Sequence, residues 1–356
     1  MGSTRIFGTD GVRGRAGTGW LSEDRVSVLG RAVGTTHFGH ALLGHDGRES
    51  GPVLQNALAR GLVAAGWDVV SAGLISSPGL ALLTRSMHFS LGMMLSASHN
   101  PAEDNGIKVF SGVGGKLSDD EELAIEELLH GDLEPETTPV DVPVDPKLEE
   151  HYRKYLIGHA AKGLDLSGLR LIIDCANGSG SHYAPLVLES LGASVHAMFA
   201  SPDGKNINSG CGSTHPEDLQ QEVVRRSAHA GIALDGDADR CMLVDERGEL
   251  IHGDGILTMI ARDAMQTGRW KTPRLVATVM SNRGLHKALT EVGVQRPRVR
   301  RRRSFGRRGA TQRQPSGRRR AIGTHHLRRR HSLHRRRLVH RAARVGGPAA
   351  REKAVV

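Results

Sequence analysis

The chain has 356 residues, a length that exceeds a single typical domain and predicts two or three domains. No stretch is long and apolar enough to cross a membrane, and Met1–Arg15 lacks the apolar core of a signal peptide. The three cysteines lie far apart without metal-ligand spacing. We therefore expect reduced thiols and a cytoplasmic protein.

The net charge of +10 is unevenly distributed along the chain. Residues 296–356 hold 21 Arg and one Lys against a single acid, Glu352, so this segment carries +21 and residues 1–295 carry −11. The acidic part is typical of an ordinary soluble protein. A nucleic-acid-binding function would therefore depend on the basic segment alone.

The first predicted elements lead to a polar loop. Phe7–Gly14 is a glycine-rich segment that could form a tight turn or bring backbone N–H groups to an anion. A helix is predicted over Ser50–Ala65, and the strand Trp67–Ser71 follows it. Leu91–Ser96 is predicted as a buried strand that places Ser98 just past its carboxyl end, where ligand-binding loops lie in open α/β sheets.

The predicted elements then continue through two further units. Ser118–Glu121 has the pattern of a capping box and predicts a helix to about Leu129, and Gly131–Pro146, rich in Pro, Thr and Asp, is predicted to be a linker. The later strands are Leu169–Asp174, Ala193–Phe199, Gly231–Leu234 and Arg274–Met280, and the later helices are Pro216–Ala228 and Gly284–Glu291.

This alternation of strands and helices predicts an α/β fold of consecutive domains with mixed, mainly parallel sheets. We expect domains over residues 1–150 and 151–254, with the start of a third over 255–295. Residues 296–356 contain no Asp and show no amphipathic period, so we do not expect this segment to form a packed domain.

Three aspartates follow the predicted strand that ends at residue 234. Asp235, Asp237 and Asp239 alternate along the chain and precede Arg240, so in a turn their carboxylates could converge on one cation. Hard oxygen ligands favour Mg²⁺. The alternatives are a solvated acidic turn or a calcium loop of the EF-hand type. Glu246 stands at the twelfth position of such a loop, but predicted strands rather than helices flank it.

The polar loop after residue 96 offers a hydroxyl. Its residues also suit a plain turn, so this alternative to a reactive serine stays open. Lys108, Arg5 and Arg13 could supply positive charge to phosphate oxygens around Ser98. His99 is a candidate acid or base, or a residue that orients the loop. A serine hydroxyl beside a divalent-metal site predicts a phosphoryl-transfer centre.

Several motifs together resemble the α-D-phosphohexomutase superfamily. Phe7–Gly14 matches its opening motif, Ser96–Lys108 its phosphoserine loop and Asp235–Arg240 its metal loop. Asp203–Glu217 favours the branch that acts on glucosamine phosphates over phosphomannomutases and phosphoglucomutases, which remain the alternatives. The resemblance covers residues 4 to about 294.

The resemblance implies consecutive α/β domains of the phosphohexomutase type and an isomerase that acts on a phosphosugar. Phosphorylated Ser98 would donate its phosphoryl group to glucosamine 6-phosphate. It would recover the other phosphate from a bisphosphate intermediate, leaving glucosamine 1-phosphate for amino-sugar and cell-wall precursors.

The resemblance also implies the site residues and partners. One Mg²⁺ would be bound by Ser98, Asp235, Asp237 and Asp239. The catalytic set would be phosphorylated Ser98 with Arg13, His99, Lys108 and Arg240. No membrane or nucleic-acid partner is implied, and the sequence does not give the oligomeric state.

Residues 296–356 depart from the family pattern. The superfamily has four domains, with a sugar-binding Gly-Glu-x-Ser-Gly-His loop in the third and a phosphate-binding loop in the fourth, and this segment contains neither motif. One hypothesis is a basic arm that binds nucleic acid through phosphate contacts, although Phe305 is its single aromatic residue.

The other hypothesis is a shifted reading frame that begins near Gln295. Codons for Arg318–His326 can be chosen that read, one base later, Gly-Gly-Glu-Gln-Ser-Gly-His-Ile, which contains the missing loop. This hypothesis predicts that the gene continues into normal third and fourth domains in the shifted frame, which sequencing the locus tests. It also predicts little mutase activity for the chain as given.

Overall fold

The fold is given by a computed structural model that describes residues 5–295 apart from 9 and 278–280, all within the compact unit Met1–Arg301. The segment 296–356 lies outside the described residues. The hypotheses of a nucleic-acid-binding arm and of a shifted reading frame, and the expectation that this segment does not pack, therefore stay predictions.

The first sheet has five strands in the spatial order β1-β5-β4-β2-β3. The strands β2 and β3, and β2 and β4, pair in parallel, whereas β5 is antiparallel to both β4 and β1. Every residue of β4 is buried, as expected for an apolar strand covered by helices on both faces. The strands are β1 (Val12–Arg15), β2 (His40–His45), β3 (Asp68–Leu74), β4 (Leu91–Leu95) and β5 (Asp104–Ser111).

Four helices accompany this sheet: α1 (Glu23–Thr36), α2 (Ser50–Ala64), α3 (Ser77–Ser86) and α4 (Asp119–Leu129). The helices α1 and α2 pack closely because Gly30 and Gly61 lie at their contact. A Cβ atom at Gly30 would lie 2.2 Å from the carbonyl oxygen of Leu58. The predicted capping box of α4 is confirmed, with both reciprocal hydrogen bonds between Ser118 and Glu121 present.

The predicted linker after α4 is docked along the first domain rather than free. Ser27 Oγ accepts a hydrogen bond from the backbone N–H of Glu136 and donates one to its carbonyl oxygen, at 2.9 and 3.0 Å. Val144 pairs with Ser71 at the edge of β3. The Pro and Thr content disfavours regular structure, but the apolar residues of the segment pack against the first core, among them Leu133, Val140 and Val142.

The second sheet has the spatial order β10-β9-β8-β6-β7, with β6 parallel to β7 and β8 and the remaining pairs antiparallel. Its strands are β6 (Arg170–Asp174), β7 (Ser194–Met198), β8 (Ala230–Leu234), β9 (Cys241–Val244) and β10 (Leu250–Ile251). The helices of this part of the chain are α5 (Pro146–Tyr155), α6 (Gly180–Ser190) and α7 (Glu217–Arg225). The predicted α/β fold with mixed sheets is thus confirmed.

A small third cluster follows, in which α8 (Gly253–Gln266) and α9 (Arg283–Glu291) enclose apolar side chains such as Leu285. The predicted strand Arg274–Met280 does not form over the part that is described. Arg274 makes one isolated bridge with Gln295, and no other described residue pairs with 275–277 as a strand; residues 278–280 lie outside the described residues.

Among the described residues, no helix has the length and apolar character needed to cross a membrane. The three cysteines are unpaired: Cys175 and Cys211 are buried, and Cys241 is exposed.

Candidate active site

Ser98 lies in the loop that follows β4. Its side chain is almost fully buried, with 1% of the residue exposed. Its φ of +56° places it in the left-handed region, which costs energy for a residue with a side chain. The backbone N–H of Ser98 donates to Ser96 Oγ at 2.8 Å, so a neighbouring hydroxyl helps to hold this conformation.

The aspartate loop follows β8 and forms a turn in which Ala238 has a φ of +53°. One carboxylate oxygen from each of Asp235, Asp237 and Asp239 lies within 4.8 Å of the others. Asp237 Oδ1 is buried and has no hydrogen-bond partner among the described residues. An unsatisfied buried carboxylate oxygen inside a set of three hard ligands fits a divalent cation such as Mg²⁺.

Asp235 joins the two loops. Ser98 Oγ donates to Asp235 Oδ2 at 2.6 Å, and the backbone N–H of Arg240 donates to Asp235 Oδ1 at 3.0 Å. Burial, and then the charge of Asp237, raise the pKa of Asp235 to about 6. Both causes reflect crowded, desolvated negative charge, which favours a cation at this position.

Lys108 projects from β5 into the same cluster. Its ammonium group pairs with Asp237, with Asp239 at 3.3 Å and with Asp10 at 3.4 Å. Burial alone would lower the pKa of Lys108, but the neighbouring carboxylates, first Asp237, outweigh it and raise the pKa. Lys108 therefore stays charged. The hydroxyl of Ser77, at the start of α3, also donates to Asp237.

Arg13 also contacts the serine loop. Its guanidinium donates to Ala97 O at 3.3 Å and to Asp10 Oδ2 at 2.6 Å, while its buried Nε has no partner among the described residues. Burial would raise the pKa of Asp10, but a hydrogen bond from Lys116 and the charge of Lys108 hold it at about 2. Arg13 is thus oriented by a carboxylate that is ionised at neutral pH.

Two cavities adjoin these residues. One of about 380 Å³ is lined by three arginines, among them Arg13 and Arg240. The third, Arg5, pairs with Glu122 at 2.8 Å and so is committed to α4 rather than to Ser98. A larger cavity of about 960 Å³ lies between residues 99–103 and 204–215.

His99 lines the larger cavity. Burial, and then the charges of Arg240 and Arg13, lower its pKa, so the imidazole is neutral at pH 7. Its Nδ1 is buried without a partner among the described residues.

The calcium-loop alternative does not fit the geometry. Glu246 lies beyond β9, mostly exposed, and contacts Arg247 at 3.8 Å. It does not belong to the acidic cluster, whose members among the described residues are the three alternating aspartates.

Arg48 and Asn208, like Ser77, are residues of this site that were not predicted from the sequence. Arg48 and Asn208 donate hydrogen bonds to carbonyl oxygens of the Ser98 loop. Asn208 stands within a motif that carried the resemblance, but no role followed from the motif. The sequence signal that could have indicated Arg48 is the polar run Asp46–Arg48, which follows β2. This run lies at the same edge of the sheet as Ser98, where ligand-binding loops are expected.

These features define a class of protein. It is an α/β protein in which a buried serine lies beside three aspartates that could bind a metal ion, with basic side chains around them. Models of the phosphoglucomutase/phosphomannomutase α/β/α domains I, II and III match residues 4–136, 150–248 and 252–300. The chain belongs to the phosphoglucomutase/phosphomannomutase family, as the motifs indicated.

Two curated relatives with similar sequences are both phosphoglucosamine mutases. The chain is 46% identical over 307 residues to a phosphoglucosamine mutase of Symbiobacterium thermophilum, covering 83% of this chain and 68% of the relative. It is 45% identical to a phosphoglucosamine mutase of Granulibacter bethesdensis, with 84% and 68% covered. The chain thus spans about two-thirds of the length of these relatives.

A solved structure shows the same fold. A phosphoglucomutase/phosphomannomutase family protein from Burkholderia thailandensis superposes with a TM-score of 0.70 at 27% identity, over 83% of this chain and 66% of that one. The predicted domains of the phosphohexomutase type are thereby confirmed. The exact boundaries given above remain a prediction.

Proposed function

We propose that this chain is an isomerase of the phosphoglucosamine mutase type, which interconverts glucosamine 6-phosphate and glucosamine 1-phosphate. The observation that carries the proposal is the 2.6 Å hydrogen bond from the buried Ser98 hydroxyl to Asp235 in a three-aspartate cluster. The names of relatives at 45–46% identity support the glucosamine substrate.

Ser98 is the proposed phosphoryl carrier. In the first transfer the bond from phosphorus to Ser98 Oγ breaks and a bond to a sugar hydroxyl oxygen forms; the sugar hydroxyl loses its proton and the departing Ser98 Oγ takes one up. In the second transfer the Ser98 hydroxyl loses its proton as Oγ attacks the other phosphoryl group of the bisphosphate, and the departing sugar oxygen takes up a proton. Asp235 orients Ser98 Oγ for this attack through their hydrogen bond.

The residues present fit a Mg²⁺ ion. Asp235, Asp237, Asp239 and Ser98 would hold it, and the unpartnered Oδ1 of Asp237 supports that assignment. When bound, Mg²⁺ supplies positive charge beside the transferred phosphoryl group.

The fixed cations act on the phosphoryl oxygens. Arg13, Lys108 and Arg240 surround the serine and aspartate loops, and the unpartnered Nε of Arg13 supplies a free donor. In a loose transition state the equatorial oxygens carry the charge, so these cations stabilise it. The neutral His99 is the proposed acid or base toward the sugar, which would lie in the 960 Å³ cavity.

The test is a half-reaction on the 356-residue chain. Dephosphorylated protein is mixed with Mg²⁺ and glucosamine 1,6-bisphosphate, and the mass of one phosphoryl group is sought by intact mass spectrometry and mapped by peptide sequencing. We expect it on Ser98 and not in S98A. The matched control is S111A, which removes a surface hydroxyl bonded to Gly115 O and should label normally.

Substrate preference is measured in the same assay. Bisphosphates of glucose and mannose test the phosphoglucomutase and phosphomannomutase alternatives, and faster labelling by either would replace the glucosamine assignment. Label on S98A, or no label on the unaltered chain, would contradict the proposed carrier.

A further inference from the structure

We infer that Arg48 and Asn208 are positioning residues that clamp the Ser98 loop from two domains and thereby set the position of Ser98 Oγ. The inference rests on the proposed role of Ser98 as phosphoryl carrier. The two side chains act through the backbone of the loop.

Arg48 holds the loop from the first domain. Its side chain is fully buried, and its Nη2 donates to Ser98 O at 3.0 Å and to Asn100 O at 2.8 Å. Its Nη1 donates to Asp104 O at 2.8 Å and also to Pro101 O. One guanidinium group therefore donates hydrogen bonds to four carbonyl oxygens of the turn. A lysine ammonium group, which has a single nitrogen, could not do this.

A carboxylate fixes Arg48 itself. Asp46 Oδ2 accepts from Arg48 Nε at 3.0 Å and from Ser96 Oγ at 2.6 Å. Ser96 Oγ in turn accepts the backbone N–H of Ser98. Asp46 thus orients Arg48, which donates to the carbonyl oxygen of Ser98, and Ser96, which accepts from its N–H. The network therefore holds the backbone of Ser98 at both its N–H and its C=O group.

Asn208 holds the same two carbonyl oxygens from the second domain. Its Nδ2 donates to Ser98 O at 2.9 Å and to Asn100 O at 3.1 Å. Asn208 is 9% exposed and has a φ of +58°, and its own N–H donates to Ala176 O at 2.9 Å. Each of the two carbonyls therefore receives one donor from each domain.

The clamp meets the aspartate loop at Gly236. A Cβ atom there would lie 2.7 Å from Ser98 O and 2.9 Å from Asn208 Nδ2. The backbone between Asp235 and Asp237 thus lies directly against the clamped carbonyl. A shift of Ser98 O would change the distance between Ser98 Oγ and Asp235, and displacements of about 1 Å can slow a reaction about 100-fold.

The main variant is Asn208→Gly, which removes the amide and tolerates the positive φ. We expect its rate of phosphoryl uptake from glucosamine 1,6-bisphosphate to fall about 10- to 100-fold. The dissociation constant of Mg²⁺, measured by calorimetry, should change less than about twofold, because the three aspartates remain. Deuterium exchange of the peptide 96–104 should rise. Arg48→Lys should show the same pattern.

The matched control is Asn56→Ala. Asn56 Nδ2 also donates to a backbone carbonyl, Val140 O at 2.8 Å, but in the docked segment of the first domain. It should lower the melting temperature without changing uptake or loop exchange. If Asn208 had a merely structural role, N208G would change the melting temperature alone, as is expected for this control.

Each outcome of these measurements either supports or overturns the positioning role of Asn208. Normal uptake with normal loop exchange in N208G overturns the inference, and slower uptake with faster exchange supports it. Uptake by the unaltered chain tests the proposed carrier separately. If that chain takes up no phosphoryl group, loop exchange still decides the clamp: unchanged exchange in N208G overturns it, and raised exchange supports it.

Discussion

The hydroxyl of Ser98, just past β4, donates a 2.6 Å hydrogen bond to Asp235, just past β8. Both strands occupy the third place in five-stranded sheets, with a parallel neighbour on one side and an antiparallel neighbour on the other. Strands β2–β5 of the first sheet and β6–β9 of the second have the same order, whereas the fifth strand precedes them in the first sheet (β1) and follows them in the second (β10). Ser98 and the aspartate loop therefore follow equivalent strands, and the site forms where the carboxyl ends of these strands meet.

Removal of one aspartate should weaken metal binding. Asp237→Asn replaces the carboxylate whose Oδ1 is buried and unpartnered, so we expect the dissociation constant of Mg²⁺ to rise at least about tenfold by calorimetry. Glu246→Gln is the control, since Glu246 lies outside the cluster. Loss of binding in E246Q, together with preference for Ca²⁺, would restore the calcium-loop alternative.

The buried ammonium of Lys108 should matter more for stability than its neighbour Lys116. Lys108→Met leaves Asp237 without its cation, and breaking a buried pair costs about 3–5 kcal/mol, so the urea midpoint without metal should fall strongly. Lys116→Met removes a half-exposed ion pair with Asp10 and should cost less than about 1 kcal/mol.

Bound Mg²⁺ should compensate for the loss of stability caused by Lys108→Met. Mg²⁺ replaces the lost positive charge, so K108M should gain more stability from saturating Mg²⁺ than the unaltered chain. Phosphoryl uptake should stay impaired, because the charge on the phosphoryl oxygens is still missing. Equal Mg²⁺ stabilisation of both proteins would contradict this account of Lys108.

Local patterns predicted the elements that carry the site. The apolar run of β4 and the alternating aspartates after β8 are short-range signals, and they placed Ser98 and Asp235 at strand ends. The capping box of α4 was equally local. The glycine-rich, polar composition of Phe7–Gly14 and Ser96–Lys108 made the family recognisable.

Long-range partners could not be predicted in this way. Arg48 donates to carbonyl oxygens of residues more than fifty positions away. Every residue has a backbone carbonyl, so the sequence does not indicate which ones accept these hydrogen bonds. The docked segment after α4 was predicted as a linker because it is rich in Pro, Thr and Asp. Its attachment through Ser27 and Glu136 depends on tertiary contact. Within the described residues, the predicted strand Arg274–Met280 is reduced to one bridge between Arg274 and Gln295.

The docking of that segment can be tested at Ser27. Ser27→Ala removes two hydrogen bonds to Glu136 and leaves its backbone groups unsatisfied, which should cost about 1–3 kcal/mol. Limited proteolysis should then cleave within 131–145 faster than in the unaltered chain. Ser22→Ala is the control, since its exposed hydroxyl bonds only a local carbonyl, Gly19 O. Equal cleavage of both variants would show that the segment is not held by Ser27.

Asp174 should give the stability a distinct pH dependence. It lies buried at the end of β6 and accepts the N–H groups of Ala176 at 2.8 Å and Gly212 at 2.7 Å. Burial raises its pKa to about 6 despite these bonds, above the usual value of 3.8. The folded state therefore binds this proton more tightly than the unfolded state does.

A raised carboxyl pKa stabilises the folded chain below the unfolded pKa, and this stability is lost as the pH rises through the folded pKa. Relative to Asp174→Asn, which does not titrate, the free energy of unfolding of the unaltered chain should fall by about 2 kcal/mol between pH 4 and pH 6, and by less than about 1 kcal/mol more up to pH 8. Urea unfolding of both proteins across this range measures the difference. A constant difference, or one that increases with pH, would mean that the two backbone donors outweigh burial at Asp174.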